Sequence, residues 1–78
     1  MSSEEIVREF LEYRKKSKLT DLFESWLPYL TVNEEAVIIL YYFKDKKIYQ
    51  IAMEINYSET QVKRILKSAR KKIKKLLP

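Results

Sequence analysis

Ser58-Glu59-Thr60-Gln61-Val62-Lys63-Arg64-Ile65-Leu66-Lys67-Ser68-Ala69-Arg70-Lys71-Lys72-Ile73-Lys74-Lys75-Leu76-Leu77 decides how this chain is read. Ser58 is a helix N-cap residue. Val62, Ile65, Leu66, Ala69, Ile73 and Leu76 recur at three- and four-residue spacing, which predicts one apolar stripe on a helix. Every charged residue from Lys63 onward is positive. Such a helix can bury one face and turn a cationic face to a polyanion. The helix dipole alone asks for one or two cations in the last turn, whereas eight extend here over about three and a half turns.

Working outward, Ile48, Ile51, Ala52 and Ile55 predict a short helix over residues 48–55, and Asn56-Tyr57 a turn. Two helices joined by a short turn, the second one basic, form a helix-turn-helix pattern. Upstream, Thr31-Val32-Asn33-Glu34 is a capping box. The run Ala36-Val37-Ile38-Ile39-Leu40-Tyr41-Tyr42-Phe43 follows it, apolar on nearly every side, as a central helix would be. Its β-branched and aromatic content also suits a strand, but no second strand-like segment exists to pair with it. Lys44-Asp45-Lys46-Lys47 connects to the next helix. Glycine is absent, so Asp45 and Asn56 are the expected left-handed turn positions.

The first helix is expected to start at Ser2 or Ser3, with Ser2 and Glu5 forming a capping box, and to fade over Arg14-Lys15-Lys16-Ser17-Lys18. A second short helix is expected from Thr20, with Leu22, Phe23, Trp26 and Leu27 as its stripe. Pro28 is expected to end it and to push Leu27 toward an extended conformation. Trp26 and Tyr29 fit core packing in a domain short of large side chains, although such residues also anchor partners. Val62, Ile65, Leu66 and Ala69 read as core, and Ala52 as a small residue at a close helix crossing. The expected fold is therefore all-α: a small five-helix bundle with a C-terminal helix-turn-helix. Residues 1–29 are expected to form an N-terminal helical extension for packing or dimerisation, and residues 30–78 a helix-turn-helix domain of the DNA-binding kind, together one compact unit.

Seventy-eight residues with no cysteine and no histidine exclude disulfide staples, thiolate or imidazole metal sites and the usual general base. Without glycine, phosphate-cradling loops fail as well. No nucleophile–base pair is present, so an enzyme is not expected, nor a cofactor. The formal net charge of +5 is uneven. Residues 1–43 hold five cations and eight carboxylates, residues 44–62 three of each, and residues 63–78 eight cations and no carboxylate. That asymmetry predicts an acidic partner for the C-terminal end. The acidic N-terminus does not resemble a signal peptide, and the longest apolar run is too short to span a bilayer. A cytoplasmic protein is expected. Membrane-surface binding would ask for aromatics on the basic helix, and residues 62–77 have none.

Several segments together resemble region 4 of bacterial RNA polymerase sigma factors. They are Leu30-Thr31-Val32-Asn33-Glu34, Val37-Ile38-Ile39-Leu40-Tyr41-Tyr42-Phe43, Gln50-Ile51-Ala52, Ser58-Glu59-Thr60-Gln61-Val62-Lys63 and Ala69-Arg70-Lys71-Lys72-Ile73. The match spans residues 30–76, about three fifths of the chain, and rests on order and spacing, since no single element is specific. Lys47 stands where that family often has a capping serine or threonine, Gln50 where it has glutamate, Asn56 where it has a turn glycine and Gln61 where it has threonine. The resemblance implies a stand-alone sigma-like or phage-type transcriptional regulator of the winged-helix-like DNA-binding superfamily. No polymerase-core-binding or melting segment precedes the match, so the chain alone is not expected to be a complete sigma factor. Partners implied are double-stranded DNA, RNA polymerase or a second sigma-like chain, and a homodimer through the N-terminal helices.

A recognition helix enters the major groove N-terminus first, so Glu59, Thr60, Gln61, Lys63 and Arg64 are the candidate base readers. Gln61 suits adenine, Arg64 guanine and Glu59 the amino group of cytosine, while the Thr60 methyl can touch thymine. Lys63 fits phosphate equally well. Lys67, Arg70, Lys71, Lys74 and Lys75 further along, with Lys46 and Lys47 before the supporting helix, are candidate phosphate contacts, and the Tyr49 hydroxyl could join them. A protein-interaction module binding RNA polymerase, or one half of a split sigma factor, is the alternative, with Trp26 or the Tyr41-Tyr42 aromatics as its surface.

Overall fold

Local hydrogen bonds at the helix starts set the architecture. The computed structural model describes residues 2–13 and 17–77. α1 (Ser3–Tyr13) begins where Glu5 N–H donates to Ser2 Oγ at 3.2 Å. The expected fading of this helix over Arg14-Lys15-Lys16 lies outside the described residues.

α2 spans Lys18–Trp26 and is capped by Ser17, so it starts earlier than Thr20. Thr20 is instead the return partner of the box: its N–H donates to Ser17 Oγ, and its hydroxyl accepts from Ser17 N–H at 2.8 Å. Leu27 is αR (φ −50°, ψ −43°), not extended, because the chain tightens into a 3₁₀ turn over Leu27–Tyr29. Pro28 sits in that turn's first positions, where a missing N–H costs nothing.

α3 (Val32–Ile38) has the full Thr31–Glu34 box, with Glu34 N–H to Thr31 Oγ1 at 3.2 Å and Thr31 N–H to Glu34 Oε1 at 2.8 Å. It continues as a π-helix over Ile39–Phe43, a widening the sequence reading did not contain. Lys44 N–H reaches Ile39 O, five residues back, and Lys46 N–H reaches Leu40 O. α4 (Ile48–Ile55) and α5 (Glu59–Leu76) follow. Asp45 (φ 55°) and Asn56 (φ 59°) take the two left-handed positions. At Asn56 the αL conformation reverses the chain, and Tyr57 N–H closes on Ala52 O at 2.9 Å.

The fold is all-helical, with five α-helices and no strand among the described residues. α3 is the centre, packed by α1 on one side and α5 on the other, with α4 against α5. Ala36, Val37, Ile38, Ile39 and Leu40 are buried in succession, as only a helix surrounded by others can be. Ile6, Val7, Phe23 and Trp26 belong to the same core as Ile51, Val62, Leu66 and Ala69. Phe10, Phe23 and Phe43 meet edge to face, with centroids 4.8–5.5 Å apart, and Trp26 lies edge-on to Phe23 at 6.4 Å. That cluster joins α1 and α2 to the π end of α3. Trp26 packs in the core as expected, whereas Tyr29, 59% exposed, does not.

Candidate nucleic-acid interface

α5 is anchored at its start and along its apolar stripe. Ser58 Oγ accepts from Gln61 N–H at 3.1 Å, and Gln61 Oε1 accepts from Ser58 N–H at 2.9 Å. Val62, Leu66 and Ala69 are buried, with Ile65, Ile73 and Leu76 packed beside them. The 18 residues make a rod about 27 Å long.

Helical spacing puts Thr60, Lys63, Arg64, Lys67, Lys71 and Lys74 on the side away from the stripe, and all six are exposed. Glu59 and Gln61 flank that face near its capped end and are exposed too. The five candidate base readers thus lie within the first two turns. Gln61 is the partly committed one, since the side-chain oxygen that a bidentate adenine contact uses accepts the Ser58 N–H. Lys47 and Tyr49, at the start of α4, are exposed, and Lys46 is half-buried. A cleft beside this loop is lined by Tyr41, Tyr42, Lys46 and Lys47. Lys47 begins α4 without a side-chain acceptor, because an ammonium has no lone pair. Only the return half of a box is made, Lys47 N–H to Gln50 Oε1 at 2.9 Å.

The two flanks of α5 are fixed in different ways, and neither was visible in the sequence. On one, Lys72 Nζ donates to Glu34 Oε1 at 2.6 Å and Ser68 Oγ to Glu34 Oε2 at 2.8 Å. Burial alone would raise the Glu34 pKa. Hydrogen bonds from Lys72, Thr31 and Ser68 outweigh it and hold the carboxyl below its ordinary value. Next to it, Glu35 is pushed up by burial and by the Glu34 charge. On the other flank, Arg70 Nε donates to the Tyr42 hydroxyl at 2.7 Å, and its guanidinium carbon lies 5.2 Å from the Tyr41 ring centroid and 5.7 Å from that of Tyr42. Chiefly through the Tyr42 hydrogen bond, the guanidinium is pushed above its ordinary value. Among the described residues, Lys72 is the α5 cation held in a salt bridge.

A third link joins the helix starts. Ser3 Oγ donates to Asn33 Oδ1 at 2.7 Å, and Asn33 Nδ2 donates to the Tyr57 hydroxyl at 2.9 Å, tying α1 and α3 to the turn that launches α5. No group of three side chains suited to a metal ion occurs among the described residues, and no helix among them is long and apolar enough to cross a membrane.

A cationic rod on an all-helical base is the class of surface the geometry defines. The chain belongs to DUF722, a family described as proteins of unknown function, whose model matches residues 4–75. No curated protein and no solved structure matches it.

Proposed function

We propose that the protein is a sequence-specific double-stranded DNA-binding transcriptional regulator of the cytoplasm. α4 and α5 act as a helix-turn-helix, and the capped start of α5 enters the major groove. The observation that carries this reading is the exposed face of Thr60, Lys63, Arg64, Lys67, Lys71 and Lys74, none of them in a salt bridge among the described residues, on a rod held firmly along its other side. Base edges are read by Glu59, Thr60, Gln61, Lys63 and Arg64. Phosphates are held by Lys67, Arg70, Lys71 and Lys74 from α5, and by Lys46 and Lys47 from the loop before α4.

Selection of the purified protein on random duplex DNA at two salt concentrations tests this. An enriched motif, bound more weakly at high salt, is the expected result. Salt-sensitive binding without a motif would leave α5 as a backbone grip, with specificity supplied by RNA polymerase or a second sigma-like chain.

One observation favours a second reading, a protein-interaction module that binds RNA polymerase or completes a split sigma factor. An apolar cleft of about 340 Å³ lies between α2, the π end of α3 and the end of α5, lined by Leu19, Trp26, Tyr42, Ile73 and Leu77. Affinity for polymerase that persists at high salt, without a DNA motif, would favour it.

A further inference from the structure

The two flanks of α5 hold their cations by opposite means. Lys72 meets a buried carboxylate, and its charge is cancelled within the fold. Arg70 meets two neutral phenol rings, which order the guanidinium and leave its charge whole. A cation that served only to pin α5 to α3 would gain more from a carboxylate, as Lys72 does. Arg70 is nonetheless exposed, and so is half of Tyr42.

The geometry of the fork matters. Nε–H is spent on Tyr42, which leaves the Nη groups of the exposed guanidinium as the donors for phosphate oxygens, with Tyr41 a second hydrogen-bonding neighbour. A free arginine loses much rotamer freedom on gripping a ligand. Arg70 has lost part of it already, between a ring on its face and a hydroxyl at its edge. The π turn contributes, because its wider winding brings the consecutive residues Tyr41 and Tyr42 both against Arg70, with the two rings 4.9 Å apart. The same two tyrosines line a cleft shared with Asp45, Lys46 and Lys47, so they link the Arg70 site to the loop before α4.

We propose that Tyr42 is a positioning residue that presets Arg70 as a phosphate clamp, gripping the DNA backbone beside Lys46 and Lys47. This rests on the DNA-binding reading above.

The test is a double-mutant cycle on the duplex motif enriched by the wild-type protein, with affinity measured across a salt series for wild type, Tyr42→Phe, Arg70→Ala and the double variant. Arg70→Ala should lower the salt slope by about one. Tyr42→Phe keeps the charge and the ring, so it should weaken binding about threefold to tenfold at every salt concentration with the slope unchanged. In the Arg70→Ala background, Tyr42→Phe should cost nothing further. Tyr42→Phe binding like wild type, or costing the same with and without Arg70, overturns the clamp and leaves DNA binding standing. A wild-type protein that binds no duplex overturns both.

Discussion

Glu34 carries three obligations in one carboxylate: it closes the α3 capping box, accepts from Ser68 and pairs with Lys72. Glu34→Ala should cost about 1.5–3 kcal/mol in urea unfolding, as expected for hydrogen bonds to a charged group. The pH dependence has a definite sign. Between the lowered folded value and the ordinary 4.5, the folded carboxyl binds fewer protons than the unfolded one, so stability rises with pH there. The Glu34 contribution is complete above 4.5 and is lost as pH falls through the folded value. Glu35, shifted upward, works the other way: its contribution fades as pH rises through its folded value. The stability gap between wild type and Glu34→Gln, measured from pH 3 to 7, should therefore shrink on the acid side, and a gap independent of pH would refute the assignment. Legibility at this scale follows sequence distance. The Thr31–Glu34 box was readable because both partners lie in one turn. Ser68 and Lys72 lie 34 and 38 residues away, and no spacing encodes them. Asn56 was readable by elimination, because a chain without glycine must put another residue at αL. Asn56→Val should cost about 1–2 kcal/mol in thermal melting, and Asn56→Gly close to nothing.

The five elements were legible where capping and periodicity agreed, and α4 and α5 fell within a residue of expectation. Three local rules gave way. At α2, threonine at the third helical position does the work that glutamate or glutamine does in the usual box, so Ser17 passed unnoticed as the cap. At Pro28, the preference of the preceding residue for extended backbone yielded to a 3₁₀ turn that carries Leu27 back against the core. At residues 39–43, the apolar pattern of a π-helix is indistinguishable from that of an α-helix, and the segment's contacts with α1 and α4 come from parts of the chain no local pattern reaches. The weak start of α4 gives a direct prediction. Lys47→Ser supplies the missing acceptor beside the Gln50 bond already present, and should raise stability by about 0.5–1 kcal/mol in urea unfolding. An unchanged midpoint would mean that a second cap bond adds nothing to the packing and the Gln50 bond that already hold α4.

For the molecule as a whole, one core serves both halves of the chain, so damage near the N-terminus should reach the basic face. Phe23 is fully buried in the aromatic cluster. Phe23→Ala should remove about 3–5 kcal/mol, a large share of a small domain's stability, and abolish cooperative thermal unfolding. On the functional side, Arg64→Ala should cost about 1–3 kcal/mol at the selected motif and relax preference at one position, while Lys74→Ala should mainly flatten the salt slope by about one. Arg64→Ala with unaltered sequence choice would remove Arg64 from the readers. A homodimer through the N-terminal helices, expected from the sequence, is proposed together with the DNA-binding reading. It should appear as a palindromic motif with half-sites about 10 base pairs apart, and as a doubled mass in sedimentation. The charge asymmetry behind these expectations was plain in the sequence. Which cations stay free was not, since Lys72 and Arg70 read alike until the fold set one against a carboxylate and the other against tyrosines.

Trp26, the only tryptophan of the chain, sits almost wholly inside, edge-on to Phe23, and forms part of the wall of the apolar cleft. This placement makes its emission an internal optical reporter. Arg70 and Lys74 also line this cleft, so a nucleic acid gripping them touches its rim and should shift the indole emission only slightly. A protein segment entering the cleft changes the indole's surroundings directly. The size of the shift in the unmodified molecule's fluorescence thus separates a ligand at the rim of the cleft from one that fills it.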